Sequence, residues 1–492
     1  MKTAKAITKI FISIVFISSF VLLAIIWCWG DGHKLVTDIY LPAGQWNDEV
    51  FYYKQISSMI KYGIPQGYFG YNEMTAEHLT FGAWGIALLI PYYLLGKLVG
   101  WNLIMPIICN LVMMTISLGL FLYWVRPTIK QMLMWLVLIA AMPIVTRYII
   151  SGMVESVFFS AMILIVGIQQ RLEDKYSSGL VILLYLLIGF LTLARPYMII
   201  FAIIPFVFLG RNNKRLAAFF TFGYCIITMI LYYFVNIWLC SPYIGPIINM
   251  DFIEVLHKQG FLSMIWYLVT KFASGWKHLG VHICNAFKWG GYGEIYVLFM
   301  ILLVFIVVSY ICKKQYEILF AMLVLVSIIC AVILFYAENA GSRHILIFLI
   351  YAVMMLILKT DFRIMGPLSV AVWISCLLIP KEDYIYQLPY NDKVLMQQNE
   401  RIEQELSDIL VLENKVGWEN TVDWVYNEDY SICYFIPDGF GINICLENAM
   451  TENIMAKYVL VRKELEIQKQ FEGKYMVQWE SKDYVLYCRE MR

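Results

Sequence analysis

A chain of 492 residues that is 61 % hydrophobic and only 15 % charged, with a mean hydropathy of +0.69, is too apolar for a water-soluble globule and reads as a polytopic membrane protein. Its 37 Lys and Arg stand against 36 Asp and Glu, so no global basic field points to nucleic acid. What the basic residues report is topology, through their placement between spans.

Lys2, Lys5 and Lys9 precede an apolar run at 10–29, long enough to cross a bilayer at about 1.5 Å per residue. No small-residue cleavage site follows, so the run reads as an uncleaved signal-anchor with the N-terminus in the cytoplasm. The loop after it, 30–102, is then external and contains WNDEVFYYKQISSMIKYGIPQGYFGYNEMTAEHLT. Val50, Tyr53, Ile56 and Ile60 recur at helical spacing, and Gly63 followed by Pro65 supplies a stop, which predicts an amphipathic helix lying along the membrane surface. Asp48 and Glu49 fall at its N-terminus, where the helix dipole and free amide groups favour carboxylates, so the pair fits a structural cap as readily as a catalyst.

The stretch FGAWGIALLIPYYLLGKLVG is apolar but short and interrupted by Pro91. Read as a re-entrant or juxtamembrane helix, it keeps the later basic clusters on one side. The spans that follow are drawn at 103–125, 131–147, 152–169, 179–194, 197–210, 216–237, 295–311, 317–336, 344–358 and 364–380. With the first run they make about eleven. The connections Arg126 to Lys130, Arg171 to Lys175, Arg211 to Arg215, Lys313 and Lys314, and Lys359 to Arg363 then all face the cytoplasm.

Two regions remain outside the membrane. The first, 239–294, carries His257, Lys258, Lys271, Lys277, His278 and His282 and is expected to hold one or two interfacial helices. The second is the polar tail at 381–492, following a transmembrane domain at 1–380. Tyr384 to Asp423 is charged and helix-like, while YVLVRKELEIQ and KYMVQWESKDYVLYCRE alternate as half-buried strands do, which predicts a small soluble α+β domain on the outer face. The eleven cysteines include no CxxC; Cys109, Cys225, Cys330 and Cys376 lie in apolar runs as packing residues, and two of Cys433, Cys445 and Cys488 could pair if the tail is external.

Charged side chains at the edge of the apolar region cost several kcal/mol unless paired or hydrated, which marks them as functional candidates. They are Arg147 in PIVTRYIISGMVES with Glu155 just after it, Arg195 in LTLARPYM, and Glu338, Arg343 and His344 in YAENAGSRHILIF. Singly, Arg147 and Arg343 can snorkel to headgroups, Glu155 can pair with Arg147, and Arg195 can merely end a span. Together with Asp48, Glu49 and His78 they share the outer side. That convergence suits a cavity in which an acid accepts a proton from a hydroxyl and cations hold a phosphate, as a lipid-linked phosphosugar would require. His278 and His282, four apart, lack a third defined ligand, so they read as headgroup contacts rather than a metal site.

The order of these features resembles the GT-C superfamily of integral-membrane glycosyltransferases, in particular the branch of protein O-mannosyltransferases and lipid A aminoarabinose transferases. There the first span is followed by an external acidic DE, matched by Asp48 and Glu49, and a short helix ending near Gly and Pro, matched by Gly63 and Pro65. A basic-Pro-Pro-Leu segment and juxtamembrane helix follow; EHLTFGAWGIALLIPYYLLGKLVGWN is a divergent version, with His78 at the basic position and both prolines missing. Glu155 matches a later acid, Arg195 and Pro196 an RP after a span, and Arg343 and His344 a late external Arg with an aromatic or His.

The resemblance implies an inverting transfer of a sugar from a polyprenyl-phosphate donor to an extracytoplasmic acceptor. Asp48 would be the general base, Glu49 and Glu155 would position acceptor or sugar, and His78, Arg343 and Arg195 or Lys277 would bind the donor phosphate, with Arg147 and His344 in the same substrate-binding set. No cofactor is expected, a divalent metal being left open. A transporter or flippase for lipid-linked glycans is the competing non-enzymatic reading and a polysaccharide polymerase the enzymatic one; a transporter should show functional groups on both faces or paired halves, and neither is apparent. The abundant Lys, Ile, Tyr and Asn suit an A+T-rich bacterial genome and hence a bacterial plasma membrane.

Overall fold

The computed structural model describes residues 2–43, 47–63, 69–71, 85–211, 213–239, 251–289, 304, 341–378, 393–413, 418–426, 430–446, 455–471 and 475–489. The first apolar run, drawn from sequence as one span, is two helices, α1 (Lys2–Ile17) and α2 (Ser19–Gly30), which meet at 65°. Ser18 sits at the bend and donates its hydroxyl back to the Ile14 carbonyl at 2.7 Å, a bond that bends helices. The Trp135 indole donates to the Ser19 hydroxyl at 3.2 Å just beyond it.

Helix α5 (Met105–Val125) follows α3 (Asn47–Tyr62) and the short α4 (Ile90–Val99), and it stops at Arg126, whose φ of 53° is left-handed and which precedes Pro127. Helix α6 (Ile129–Ala140) starts on a capping box in which Thr128 and Gln131 each accept the other's backbone N–H. At Pro143, which has no N–H to continue the ladder, α7 (Pro143–Ile149) departs at 81° from α6. Helix α8 (Glu155–Asp174) is enclosed by α5, by α9 (Ser178–Ala194) and by α14 (Gly341–Lys359). A Cβ at Gly167 would stand 3.2 Å from Trp124 and 3.3 Å from Phe121, so glycine permits the close α5–α8 approach. After α10 (Ile203–Gly210), α11 (Lys214–Tyr232) turns Phe219, Phe220, Phe222 and Ile227 outward, as a lipid-facing helix does.

Among the described residues, α5, α8 and 214–236 are each long and apolar enough to cross a membrane, and the bent pairs α1–α2 and α6–α7 pass the same test together. The runs drawn at 179–194, 197–210, 344–358 and 364–380 are shorter apolar helices, the last being α15 (Phe362–Leu378). Apart from Val304, those drawn at 295–311 and 317–336 lie outside the described residues, as does Glu338. The described basic connections gather at one end of the bundle, Lys313 and Lys314 lying outside the described residues. Lys359 pairs with Glu173, Gln131 donates to the Leu358 carbonyl at 3.4 Å, Lys130 lies 5.8 Å from the Phe362 ring, and Arg211 donates to the Leu172 carbonyl at 3.5 Å. Helix α8 runs from Glu155 to this end over its 20 residues, so Glu155 stands about 30 Å away at the other.

The tail folds as an α+β unit around one sheet of order β1-β3-β2-β4-β6-β5. Strands β2 (Thr421–Tyr426), β3 (Gly441–Leu446) and β4 (Tyr458–Arg462) are parallel neighbours, and β6 (Tyr484–Cys488) and β5 (Met476–Glu480) complete it in antiparallel fashion. Strand β1 (Phe69–Tyr71) comes from the segment between α3 and α4 and pairs in parallel with β3, Phe69 opposite Ile442. Helix α16 (Lys393–Ile409) packs Leu406 against the sheet core. Cys433, Cys445 and Cys488, two of which were candidates for pairing, are buried and form no disulfide among the described residues.

Helix α3 starts at Asn47 and ends at Gly63, whose φ of 78° suits only glycine, where the sequence placed its stop. It does not lie along an open surface. Tyr52, Ile56 and Met59 join the core of the bundle, while Val50, Phe51 and Tyr53 join that of the C-terminal unit. Between these faces Lys54, 3 % exposed, donates to the Ile436 carbonyl at 2.6 Å and pairs with Asp438 at 2.8 Å. Ser57 and Tyr62 donate to the Asp438 carboxylate and carbonyl at 2.7 and 2.9 Å. Burial pushes the Asp438 carboxyl up, but the Lys54 charge and the hydrogen bonds from Lys54 and Ser57 outweigh it and hold the group below the usual carboxylate range. This contribution is present above the ordinary carboxyl pKa and is lost as pH falls through the lower folded value. Lys54→Met, which leaves the carboxylate beside an apolar chain, is expected to weaken the docking by about 3–5 kcal/mol. Limited proteolysis at neutral pH reads this as faster release of a C-terminal fragment; fragment release at the wild-type rate would rule out the clamp.

Candidate functional site at the Glu155 end of the bundle

The site is built where helices break. Residues 150–154 form a fully buried turn between α7 and α8. Irregular backbone at this depth needs internal partners, and Asn110 of α5 supplies them, its side-chain amide donating to the Ile149 and Ser151 carbonyls at 3.0 Å each. Asn110 in turn accepts from the Tyr92 hydroxyl of α4. The turn is thereby tied to two other elements, and its Gly152 N–H points outward toward α3.

That N–H donates to Glu49 Oε1 at 3.2 Å. A Cβ on residue 152 would lie 3.1 Å from the Glu49 Cβ, so a side chain there would push the first turn of α3 away. Glu49 is 1 % exposed, and its Oε2 has no hydrogen-bond partner among the described residues. Burial drives its carboxyl up to about 7; the Arg147 charge and the Gly152 N–H pull the other way, and Asp48 adds to the rise. Arg147, fully buried at the end of α7, is therefore a neighbour of Glu49 and does not reach headgroups. Asp48, the adjacent acid, is half-buried.

A second assembly lies beside it. Arg195 follows the end of α9, and Pro196 after it disfavours a helical Arg195, which is extended at φ −141° and ψ 109°. Its Nη2 donates to Glu155 Oε1 at 2.9 Å, both side chains being fully buried, and its guanidinium lies 4.4 Å from the Phe158 ring. So Glu155 pairs with Arg195 rather than Arg147, and Arg195 does more than end a helix. Its Nη1 donates to the Tyr197 hydroxyl at 3.4 Å, and that hydroxyl and His344 Nδ1 share a hydrogen bond at 2.7 Å. A chain of Glu155, Arg195, Tyr197 and His344 thus joins α8 to the first turn of α14.

The structure brings together Glu49 with Arg147, and Glu155 with Arg195 and His344. Arg343 lies in the first turn of α14, with its side chain outside the described ones, and His78 is outside the described residues. The region drawn at 239–294 contains α12 (Asp251–Gln259) and α13 (Phe261–Trp289); Lys277 is exposed on α13, and His278 Nδ1 bonds the Ser274 carbonyl at 3.0 Å. Sequence reasoning missed Asn110, Gly152, Tyr197 and the C-terminal contacts of α3. Asn110, a lone amide within an apolar run, carried the one usable signal.

A carboxyl whose folded pKa is raised stabilises the fold fully below its unfolded value, and that contribution is lost as pH rises through about 7 for Glu49. Glu49→Gln, which keeps the shape without the charge, should gain on wild type by about 3 kcal/mol between pH 4.5 and 8. Thermal unfolding in detergent at both pH values tests this; an equal gap between the two proteins at both would show that Glu49 does not titrate in a dry site.

No protein-family model matches the chain, and no curated protein matches it by sequence. Among solved structures, the crystal structure of ArnT from Cupriavidus metallidurans bound to undecaprenyl phosphate aligns at a TM-score of 0.55 with 10 % identity, over 99 % of this chain and 98 % of that one. The same protein in the apo state aligns at 0.42 with 9 % identity, over 95 % and 96 %. From end to end the chain has the fold of the undecaprenyl-phosphate-bound ArnT structure, a bundle of apolar helices followed by a small α+β C-terminal unit.

Proposed function

We propose that the chain is a membrane glycosyltransferase that moves a sugar from a polyprenyl-phosphate donor to a hydroxyl of an extracytoplasmic acceptor, a lipid, glycan or protein. The observation that carries this reading is the pair of buried acid–base assemblies, Glu49 with Arg147 and Glu155 with Arg195, Tyr197 and His344, in a fold shared with a protein solved with undecaprenyl phosphate. They lie at the end of the bundle opposite its basic connections. With those connections in the cytoplasm, the N-terminus is cytoplasmic and the site and C-terminal unit face outward, across a bacterial plasma membrane.

Of the two adjacent acids, Asp48 is the one with solvent access and is the general base; Glu49 sits behind it and orients Arg147. Asp48 takes the proton of the acceptor hydroxyl as that oxygen bonds to the anomeric carbon. The bond from that carbon to the phosphate oxygen breaks in the same displacement, its electron pair leaves with the polyprenyl phosphate, and the anomeric configuration inverts. Arg147, Arg343 and His78 hold the phosphate as its charge grows. Arg195 and His344, already bonded to Glu155 and Tyr197, act by fixing α14 to α8, and Lys277 meets the donor or its lipid from α13.

Membranes carrying the protein are supplied with labelled polyprenyl-phosphate sugars, and transfer is compared for wild type and Asp48→Asn at matched expression. The expected loss is about 10²–10⁴-fold with donor binding retained. Full activity in the variant reduces Asp48 to a helix cap, and donor movement across the membrane without transfer favours a flippase.

A further inference from the structure

We propose that the C-terminal unit is a working part of this site, and that it acts through Tyr434, a positioning residue whose ring closes the outer side of Glu49 against water. The inference rests on the reading of Glu49 as a site carboxylate and adds a wall that the membrane helices do not supply.

Tyr434 lies in a short helical turn, Ser431–Phe435, whose position on α3 is fixed by the Lys54 clamp; Lys54 Nζ reaches the Tyr434 carbonyl at 3.5 Å as well as Asp438. Its ring stands 5.2 Å from that of Tyr53. Tyr53 is four residues beyond Glu49 on α3, one turn along the same face, so the ring of Tyr434 is brought beside the first turn. Tyr434 belongs to the same apolar cluster as Val50, which follows Glu49, and Ile150, which begins the buried turn carrying Gly152. It is 6 % exposed. Among the described residues neither its hydroxyl nor Glu49 Oε2 has a hydrogen-bond partner, and both atoms are shut off from solvent, so the wall between them is dry. Glu49 is also the first charge, after burial itself, that pushes the Tyr434 phenol up.

The other groups that face Glu49 are Arg147 from α7, the Gly152 N–H from the turn, and Asp48 on its own helix. Arg147 and the N–H favour the ionised form, and Asp48 opposes it. Exclusion of water is therefore what keeps the carboxyl high, and Tyr434 is the aromatic side chain that the C-terminal unit contributes to that exclusion.

The test follows the carboxyl stretch of Glu49 by infrared titration of the full chain in detergent, the band being assigned by its absence in Glu49→Gln. Wild type should titrate near pH 7. Tyr434→Ala, which admits water, should lower the midpoint by about one pH unit or more, and Tyr434→Phe, which keeps the ring, should leave it in place. Should the alanine variant fail to fold, Lys54→Met, which loosens the unit with Tyr434 intact, takes its place and should lower the midpoint likewise. A folded Tyr434→Ala protein with the wild-type midpoint overturns the proposal, as does an unchanged Lys54→Met where the alanine variant is lost. The readout needs no sugar transfer, so its outcome is separate from that of the glycosyltransferase reading.

Discussion

The ion pair between Lys54 and Asp438 is the contact on which the site depends most. It lies on a helix that belongs to neither layer alone: one face of α3 packs into the bundle and the other into the core of the C-terminal unit. Lys54 is almost fully buried, and a buried ammonium is tolerated only when its donors are used; here the Ile436 carbonyl and the Asp438 carboxylate accept from it. Hydrogen bonds from Ser57 and Tyr62 to the same Asp438 residue fix the angle of the helix against the turn at Ser431–Phe435. Six and five residues before Lys54 on the same helix, about one and a half turns, stand Asp48 and Glu49. The clamp therefore helps to set where the acids sit.

The inner boundary of the site obeys a stricter rule. An arginine with no exposed surface is costly in an apolar surrounding, and the structure gives Arg147 and Arg195 different neighbours. Arg195 has a direct carboxylate at 2.9 Å and an aromatic face, so its charge is paired within the bundle. Arg147 faces a carboxyl that is itself raised to about 7, so the ionisation of Glu49 and the charge of Arg147 are coupled. The first pair suits a fixed strut between α8 and α14. The second leaves a carboxyl whose charge changes near neutral pH beside a buried guanidinium.

The sequence carried the class of the fold and the identity of the charged residues, because apolar composition, basic connections and ions at span edges are local signals. Helix α3, with its stop at Gly63, was legible for the same reason, and so were β4, β5 and β6, whose alternation is visible in a few residues. The bend at Ser18 was not, since an apolar run of the right length hides a single serine that bonds backward. Nor was the partner of Glu155: Arg147 is nearer in sequence, but the chain reverses at Arg195 and Pro196 and returns the other arginine to it. Least legible was β1, three residues of the first loop whose only reason to be a strand is the edge of β3. A strand that short has no pattern of its own.

Each element of the site begins or ends at a break in a helix: the first turn of α3, the turn between α7 and α8, the extended Arg195 after α9 and the first turn of α14. Within a helix every amide is committed to the carbonyl four residues back, and no N–H is left to meet a carboxylate. At a break one is released, as at Gly152, and can bond a side chain without costing the membrane helices a hydrogen bond. The released carbonyls must then be satisfied too, which is what Asn110 does for Ile149 and Ser151. Polar chemistry at this depth thus requires interrupted helices, and interrupted helices require a buried amide to hold them. The short lengths of α7 and α9, which weaken them as membrane spans by length alone, follow from what their ends must hold.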